Sequence, residues 1–168
     1  ELQVALDSVN EWSDKWLLKL NASKCKSLTV SGCKSTIVTN YSVSTAAGRQ
    51  DLERVNNIKD VGVIIDEKLC FRDHINEKVN KAYMMLGIIK RNFKFLGKEA
   101  FKNLYKAMVR SQLEYAQSSW SPRYKKDIEL IEKVQKRATK PVATCKNKPY
   151  EDRLRILDLP TLKFRRVR

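Results

Sequence analysis

Glycine, cysteine and histidine are scarce in this sequence, and each shortage excludes a class of site. The five glycines are isolated from one another, which excludes a phosphate-binding P-loop and a dinucleotide-binding loop. The four cysteines are too few and too scattered for a disulfide framework in 168 residues. Only Cys70 and His74 have the close spacing of zinc ligands, and no second pair matches them, so we expect no metal site. The single histidine leaves nucleophilic catalysis without a second candidate base.

Long apolar runs and paired aspartates are also missing. No stretch is long enough to span a bilayer and there is no signal peptide, which favours an intracellular location, in the nucleus or cytoplasm, without a membrane partner. Two-metal phosphoryl transfer needs neighbouring acids, and the sequence has no Asp-Asp pair. Tyr150-Glu151-Asp152 follows Pro149, so its acids are better interpreted as the start of a helix. We expect this chain alone to be inactive and to need no cofactor.

Acidic residues are outnumbered by basic ones, 19 against 34, which gives a net charge of +15 and a pI near 9.8. The excess grows along the chain, from eight basic against seven acidic residues in 1–60 to fifteen against six in 122–168. Such a charge favours a polyanion as partner, either a nucleic acid or an acidic membrane surface. A hydrophobic content of 42% is enough for a folded core.

Residue periodicity in the first seventy residues predicts one helix followed by short strands. Six apolar residues share a helical face: Leu2, Leu6, Val9, Trp12, Trp16 and Leu20. Asn21 can end that helix. Three runs rich in alternating or β-branched residues predict strands at 26–32, 36–43 and 61–65, and a loop is expected at 46–50.

From Asp73, a plausible N-cap, the apolar spacing becomes helical. Three apolar stripes predict three amphipathic helices. The first stripe is Ile75, Val79, Ala82, Leu86, Ile89 and Phe93, the second is Phe101, Leu104, Tyr105, Met108 and Val109, and the third is Ile128, Ile131, Val134 and Ala138. We expect the second helix to extend to Tyr115. Pro122 and Asp127 are start signals for the third helix, and Pro141 stops it. A short fourth helix follows Pro149 and buries Leu154 and Leu157.

Basic residues recur every three or four positions opposite these stripes, so many share a face that can follow a phosphate backbone. Glu99 is the one acid between residues 88 and 106, whereas an ordinary solvated face mixes acids with bases. No sequence-reading motif is present. Two alternatives stay open: a free-standing or co-opted basic nucleic-acid-binding module without catalysis, and a helical protein-interaction domain whose charge serves solubility.

Four segments carry a family resemblance: residues 2–25, ending in Asn21-Ala22-Ser23-Lys24-Cys25; residues 58–66, Ile-Lys-Asp-Val-Gly-Val-Ile-Ile-Asp; residues 74–91; and residues 104–140. In this order the chain resembles the part of a non-LTR retrotransposon reverse transcriptase (jockey-like and related LINE elements) that follows the catalytic aspartates. The resemblance implies an α+β fold with helix dominant: a palm remnant with a short antiparallel sheet at 1–70 and a thumb-like helical bundle at 71–168, truncated at its C-terminus.

The resemblance also implies roles for individual residues. Lys24 matches a palm lysine that acts as a general acid, and Lys59 to Val63 matches the primer-grip hairpin, where Gly62 lets the backbone approach the primer. The expected partners are an RNA–DNA hybrid, or other nucleic acid, and the missing upstream palm and fingers, with Mg²⁺ acting in the full-length polymerase. The predicted nucleic-acid-binding residues are Lys59, Gly62, Lys90, Arg91, Lys94, Lys98, Lys102, Lys106, Arg110, Arg123, Lys125, Lys126, Lys133, Lys136, Arg137 and Lys140.

Two positions depart from the family pattern. Ser111 replaces the proline usual after Val-Arg, which predicts a less sharply bent helix, and Pro141-Val142-Ala143-Thr144 replaces a more apolar continuation of the third helix. Because the chain starts at Glu1 and stops in mid-pattern, we expect it to be a piece of something longer. We also expect the Trp12 and Trp16 face to lack its normal cover.

Overall fold

A computed structural model describes residues 1–31, 39–45, 48–93 and 95–167. The chain divides into two compact units, Glu1–Leu69 and Cys70–Arg168. Helices predominate and the strands are short, which confirms the predicted α+β class with helix dominant. No helix within the described ranges combines the length and the hydropathy that a bilayer crossing requires.

The first unit joins one helix, α1 (Leu2–Lys15), and a 3-10 turn (Ala22–Lys24) to short strands. In chain order the strands are β1 (Lys26–Ser27), β2 (Ser42–Thr45), β3 (Gly48–Asp51), β4 (Glu53–Arg54), β5 (Asn57–Asp60) and β6 (Val63–Asp66). β2 pairs with β3 and β5 with β6, both antiparallel, whereas β1 and β4 pair in parallel. The described strands therefore form three separate ladders instead of one short antiparallel sheet.

α1 ends well before Asn21, the residue predicted to stop it. Leu17 adopts a left-handed conformation with φ of 57°. The N–H of Leu18 donates to the carbonyl of Ser13 at 2.9 Å, and the N–H of Leu17 donates to the carbonyl of Asp14 at 3.2 Å. This is the Schellman closure of a helix. It usually uses glycine at the left-handed position, so the sequence held no signal for it here.

The strand and loop predictions for the first unit need correction, because short strands are defined by their partners. Of the strand expected at 26–32, only β1 joins a ladder, and Gly32 lies outside the described residues. Of the strand expected at 36–43, residues 36–38 also lie outside them, and within the described residues 39–43 the strand begins at Ser42. The loop expected at 46–50 is wrong for residues 48–50, which form β3 through backbone pairing with β2; residues 46 and 47 are not described. Val61 lies in a turn and not in a strand.

The described secondary-structure elements of the second unit are all helical. Its elements are α2 (Arg72–Asn92), α3 (Lys98–Leu104), a π-helical segment (Tyr105–Arg110), α4 (Ser111–Glu114), α5 (Gln117–Trp120), α6 (Lys125–Thr139), a 3-10 turn (Ala143–Cys145), α7 (Tyr150–Leu157) and α8 (Leu162–Val167). α3, the π-helical segment and α4 follow one another directly, so the second predicted helix reaches Glu114, as expected to within one residue. The hydroxyl of Ser111 donates to the carbonyl of Ala107 at 2.5 Å, one turn back within the π-helical segment.

The predicted stripes supply the core of the second unit. Most of their members are buried, including Ile75, Val79, Ala82, Ile89, Phe101, Tyr105, Val109, Ile131, Val134, Ala138, Leu154 and Leu157. Phe93 is an exception: it caps the C-terminus of α2 and is exposed. Asp73 is not the N-cap of α2, because the helix begins after Phe71, whose φ of 54° turns the chain into it; Asp73 lies in the first turn instead. Asp127 likewise lies inside α6 and not before it.

Candidate nucleic-acid interface

α6 carries a row of exposed cations. Because Ile131, Val134 and Ala138 are buried, the opposite face of the helix points to solvent. Its exposed basic residues are Lys125, Lys126, Lys133, Lys136 and Arg137, with Lys140 directly after the helix. Lys126, Lys133 and Lys140 are seven residues apart, so they follow one line along the helix over about 21 Å at ~1.5 Å per residue. We call these six residues the α6 cation row.

A buried polar side chain, Gln135, fixes the orientation of α6. Its amide oxygen accepts a hydrogen bond from the Tyr105 hydroxyl at 2.6 Å, and its amide nitrogen donates to the Tyr150 hydroxyl at 3.1 Å and to the Pro160 carbonyl at 3.0 Å. Burial raises the pKa of both tyrosines, so their hydroxyls stay protonated at neutral pH. Rotation of α6 would break these bonds inside the core, at a cost of about 1–3 kcal/mol for each buried group left unsatisfied.

Glu132 and Arg153 tie α6 to the two helices that follow it. The Glu132 carboxylate accepts a short hydrogen bond from the Tyr150 hydroxyl and another, at 3.0 Å, from the N–H of Leu162 at the start of α8. Arg153 of α7 donates to the carbonyl of Lys136 and to the hydroxyl of Thr139, both at 2.8 Å. These contacts hold the α6 cation row on a rigid scaffold.

Three cations of α6 lie over aromatic rings. The Lys136 ammonium lies 5.3 Å from the centre of the Tyr150 ring, and the Arg137 guanidinium lies 5.3 Å from that of Tyr83 on α2. Lys126 lies 5.6 Å from the ring of Tyr124. Cation–π contacts of this kind orient a positive side chain without removing its charge, so the row keeps its attraction for an anion.

A second basic row, Lys98, Lys102, Lys106 and Arg110, follows α3 and the π-helical segment at a spacing of four residues. Acids neutralise part of it. The Lys102 ammonium lies 3.1 Å from the Asp158 carboxylate, and Arg110 lies 3.5 Å from Glu114. The pKa of Asp158 is lowered, mainly by the hydrogen bond from Lys102 and further by the positive charges of Lys102, Lys106 and Lys98. Among the described residues, ion pairs involve this row but not the α6 cation row.

An open cleft of about 630 Å³ lies in the first unit and brings together two of the predicted site residues. Lys24, at the end of the 3-10 turn, and Lys59, on β5, both line it. Lys26 and Arg54 add two further cations, and Glu53 pairs with Lys26 at 2.7 Å across the β1–β4 ladder. With four basic residues and one acid, the cleft suits an anionic ligand such as a phosphate.

Gly62 lies in the tight turn that joins β5 to β6, next to the pair formed by Asp60 and Val63. Val61 and Gly62 have φ values of 42° and 78°, the positive values that a type I′ hairpin turn needs at both central residues. The hairpin matches the one expected at 59–63. Val61 is strained there, because a β-branched residue rarely adopts this conformation. Its side chain is 80% exposed.

The other predicted residues are spread over the second unit. Lys90 and Arg91 are exposed in the last turn of α2, and Arg123 is exposed just before α6. Lys94 lies outside the described residues. Within the described ranges no three side chains of the metal-binding types gather. Tyr150 begins α7 with Glu151 and Asp152 in its first turn, as the sequence predicted.

The residues that orient the interface were missed by sequence reasoning. Gln135 stands beside Val134 on the buried side of α6, and Glu132 and Arg153 resemble ordinary surface charges in a sequence so rich in them. The one available signal in the sequence was the position of Gln135 directly beside the apolar stripe. An amide on the buried side of a helix must find hydrogen-bond partners. The partners themselves come from α7, α8 and the π-helical segment, and no local pattern indicates them.

Part of the chain is similar in sequence to a retrotransposon polymerase. Over 78 residues it is 35% identical to the RNA-directed DNA polymerase from mobile element jockey of Drosophila funebris, a match that covers 44% of this chain and 8% of that protein. This links the chain to retrotransposons. A longer match, 27% identical over 115 residues, covers 67% of this chain and 58% of an uncharacterised protein of Caenorhabditis elegans. No family model and no solved structure matches.

Proposed function

We propose that this chain is a fragment of a non-LTR retrotransposon reverse transcriptase, and that its helical unit holds the template–primer hybrid by its phosphates. The α6 cation row carries the proposal, because six basic residues share an outward surface on a helix that the core orients. The match to the jockey polymerase supports it. A hybrid recognised by shape and backbone needs cations on a rigid support and no base-reading side chains.

The basic cleft of the first unit has a separate role in this proposal. It would hold the primer end near Lys59, with Lys24 placed as a candidate general acid for the departing pyrophosphate. A cation near a leaving phosphate stabilises the charge that develops there. Catalysis itself would need aspartates and Mg²⁺ from polymerase segments beyond this chain, so the chain alone should bind a hybrid and extend no primer.

The first test is binding of the whole chain to a blunt RNA–DNA hybrid, measured by fluorescence anisotropy over a range of salt concentrations. Each phosphate contact releases counterions, so the logarithm of the affinity should fall steeply as the logarithm of the salt concentration rises. Replacing Lys133, Arg137 and Lys140 by alanine should lower the affinity at low salt at least tenfold. The salt slope should become shallower by roughly 0.9 for each phosphate that the variant no longer binds.

The matched control replaces Lys15, Lys19 and Lys68 of the first unit by alanine, which removes the same charge from other exposed positions. It should change the affinity less than threefold. Equal losses of affinity in the two triple variants would mean that net charge alone attracts the hybrid and would contradict a role for the α6 cation row. Binding that ignores salt, or no binding, would favour a protein-interaction domain instead.

A further inference from the structure

The connection between α2 and α3 presents two phenylalanines to solvent. Phe95 is 97% exposed, the highest value among the large hydrophobic side chains in the described residues, and Phe93 is 45% exposed. Leu96, the next residue, is half-buried. The Phe95 side chain is almost wholly exposed and contributes little to the core, and both phenylalanines offer apolar aromatic surface to a ligand.

Exposed cations lie on both sides of these rings. Lys90 and Arg91 lie in the last turn of α2, and Lys98 begins α3. Glu99 is the one acid between residues 88 and 106. Lys90 to Lys98 is a stretch of only nine residues, so its Cα atoms lie within about 30 Å of one another even if the chain were fully extended. We call Lys90, Arg91, Phe93, Phe95 and Lys98 the aromatic-basic loop.

We propose, on the basis of the nucleic-acid function above, that the aromatic-basic loop binds unpaired nucleotides adjoining the hybrid. Bases of the single strand stack on Phe95 and Phe93, while its phosphates contact Lys90, Arg91 and Lys98. A single strand offers anionic groups and accessible aromatic faces together, whereas a duplex hides its base faces in the stack. The charge and the rings of the loop complement both features at once.

A membrane surface is also anionic, but the loop fits it less well. An interfacial membrane anchor pairs its basic residues with a broad apolar face along a helix, which can sink into the lipid. Here α2 ends before Phe93, and two phenylalanines outside a helix present a much smaller apolar area. Stacking on individual bases needs no more than this area, so the loop favours a single strand.

The test compares two hybrids with the same duplex, one blunt and one carrying a single-stranded extension, each titrated with the whole chain. The wild type should prefer the extended hybrid. Replacing Phe93 and Phe95 by alanine should lower affinity for the extended hybrid about five- to a hundredfold, the effect of losing one or two stacked bases, and leave the blunt hybrid unchanged. Phe95→Tyr, which keeps a ring, should retain most of the preference.

Phe164→Ala is the matched control, since Phe164 is an exposed phenylalanine on α8, and it should change neither affinity. Equal affinity of the wild type for both hybrids would overturn the inference while leaving hybrid binding intact. Failure to bind the blunt hybrid would count against the proposed function instead. A double variant that binds the extended hybrid normally but loses binding to phosphatidylserine vesicles would assign the loop to membranes and overturn the single-strand assignment.

Discussion

At the residue scale, Asp158 shows how one acid modifies a basic surface. It ends α7 in a left-handed conformation, with φ of 50°, that aspartate tolerates better than most residues. Its carboxylate binds Lys102 and feels the charges of Lys98 and Lys106. The Asp158 side chain is also far more exposed than that of Lys102, so the accessible charge of this ion pair is the negative one. Asp158 therefore weakens the positive potential that the second basic row presents to an anion.

Asp158→Asn should raise affinity for the blunt hybrid two- to fivefold at low salt, because it removes one negative charge from among three lysines and keeps the side-chain shape. Anisotropy titration measures this. Glu11→Gln, which makes the same charge change at an exposed position of α1, should have a smaller effect. An Asp158→Asn affinity no higher than that of Glu11→Gln would show that the second row does not face the hybrid.

The lowered pKa of Asp158 also gives the pH range of its ion pair. A carboxyl whose pKa is lower in the folded state stabilises the fold fully above its ordinary pKa of about 4. That contribution is lost as the pH falls through the lowered value. The ion pair with Lys102 is therefore complete throughout the neutral range, where the binding measurements are made.

The net charge of the chain overstates the positive surface that a ligand can reach. Arg153 is buried, and its Nη1 donates to the Lys136 carbonyl and the Thr139 hydroxyl. Lys78 is buried with its ammonium 4.6 Å from the centre of the Tyr115 ring. Composition counts these cations equally with the α6 cation row. Only their burial separates the structural charges from those that can contact phosphate.

At the scale of elements, two turns use residues that the left-handed region disfavours. Leu17 closes α1 and Val61 forms the β5–β6 turn, both with positive φ and with exposed side chains. Backbone bonds of the Schellman closure and of the hairpin ladder impose these conformations. Strain of about 1 kcal/mol or more at each position is therefore built into the first unit.

Val61→Asn should stabilise the first unit by about 1 kcal/mol, because it places the Asn-Gly pair that type I′ turns prefer where a β-branched residue is now strained. The free energy of unfolding from urea titration measures this. Val30→Asn replaces another exposed valine without positive φ and should give no gain. If the two variants matched in stability, the strain at Val61 would be negligible.

Helices could be predicted from this sequence far better than strands. The apolar spacing of α2 and α6 is a local property repeated over five or four turns, so the stripes that bury Val79 or Val134 are visible without any partner. β3 consists of Gly48, Arg49, Gln50 and Asp51, none of which favours a strand, and exists because its backbone pairs with β2. That pairing lies outside any local pattern.

At the scale of the whole molecule, α1 is amphipathic but much of its apolar face is exposed. Trp12 and Trp16 are 53% and 62% exposed, and Leu17 and Leu18 continue the exposed surface. The side of α1 that packs on the strands is fixed by polar contacts: Gln3 exchanges hydrogen bonds with the backbone of Ser42 at 2.9 and 3.0 Å. Large apolar side chains exposed together in this way favour association with another apolar surface.

The whole chain should therefore bind an apolar dye such as 8-anilinonaphthalene-1-sulfonate while folded, and Trp12→Ser with Trp16→Ser should remove most of the dye fluorescence. Tyr124→Ser, at a similarly exposed aromatic residue of the second unit, should remove little. Fluorescence titration together with light scattering measures both binding and association. A monodisperse wild-type protein that does not increase the fluorescence of the dye would contradict the exposure of this face.

The candidate site was predictable in its residue types and not in its arrangement. The cations of α6 were identifiable, because seven-residue spacing places Lys126, Lys133 and Lys140 on one line of any helix. The neutralisation of the second basic row by acids could not be predicted, because Asp158 lies 56 residues from Lys102 in the chain. Nor could spacing show that Lys24 and Lys59 line one cleft, since the parallel β1–β4 ladder brings them together.

The sequence by itself determined the class of fold, the helices of the second unit and the excess of positive charge, since each depends on composition or on spacing within one element. The tertiary structure decided which charges are accessible. It buried Arg153, paired Lys102 with Asp158, oriented α6 through Gln135 and left Phe95 in water. The physical reason is that burial and pairing depend on residues far apart in the chain, whose meeting depends on the packing of the whole unit.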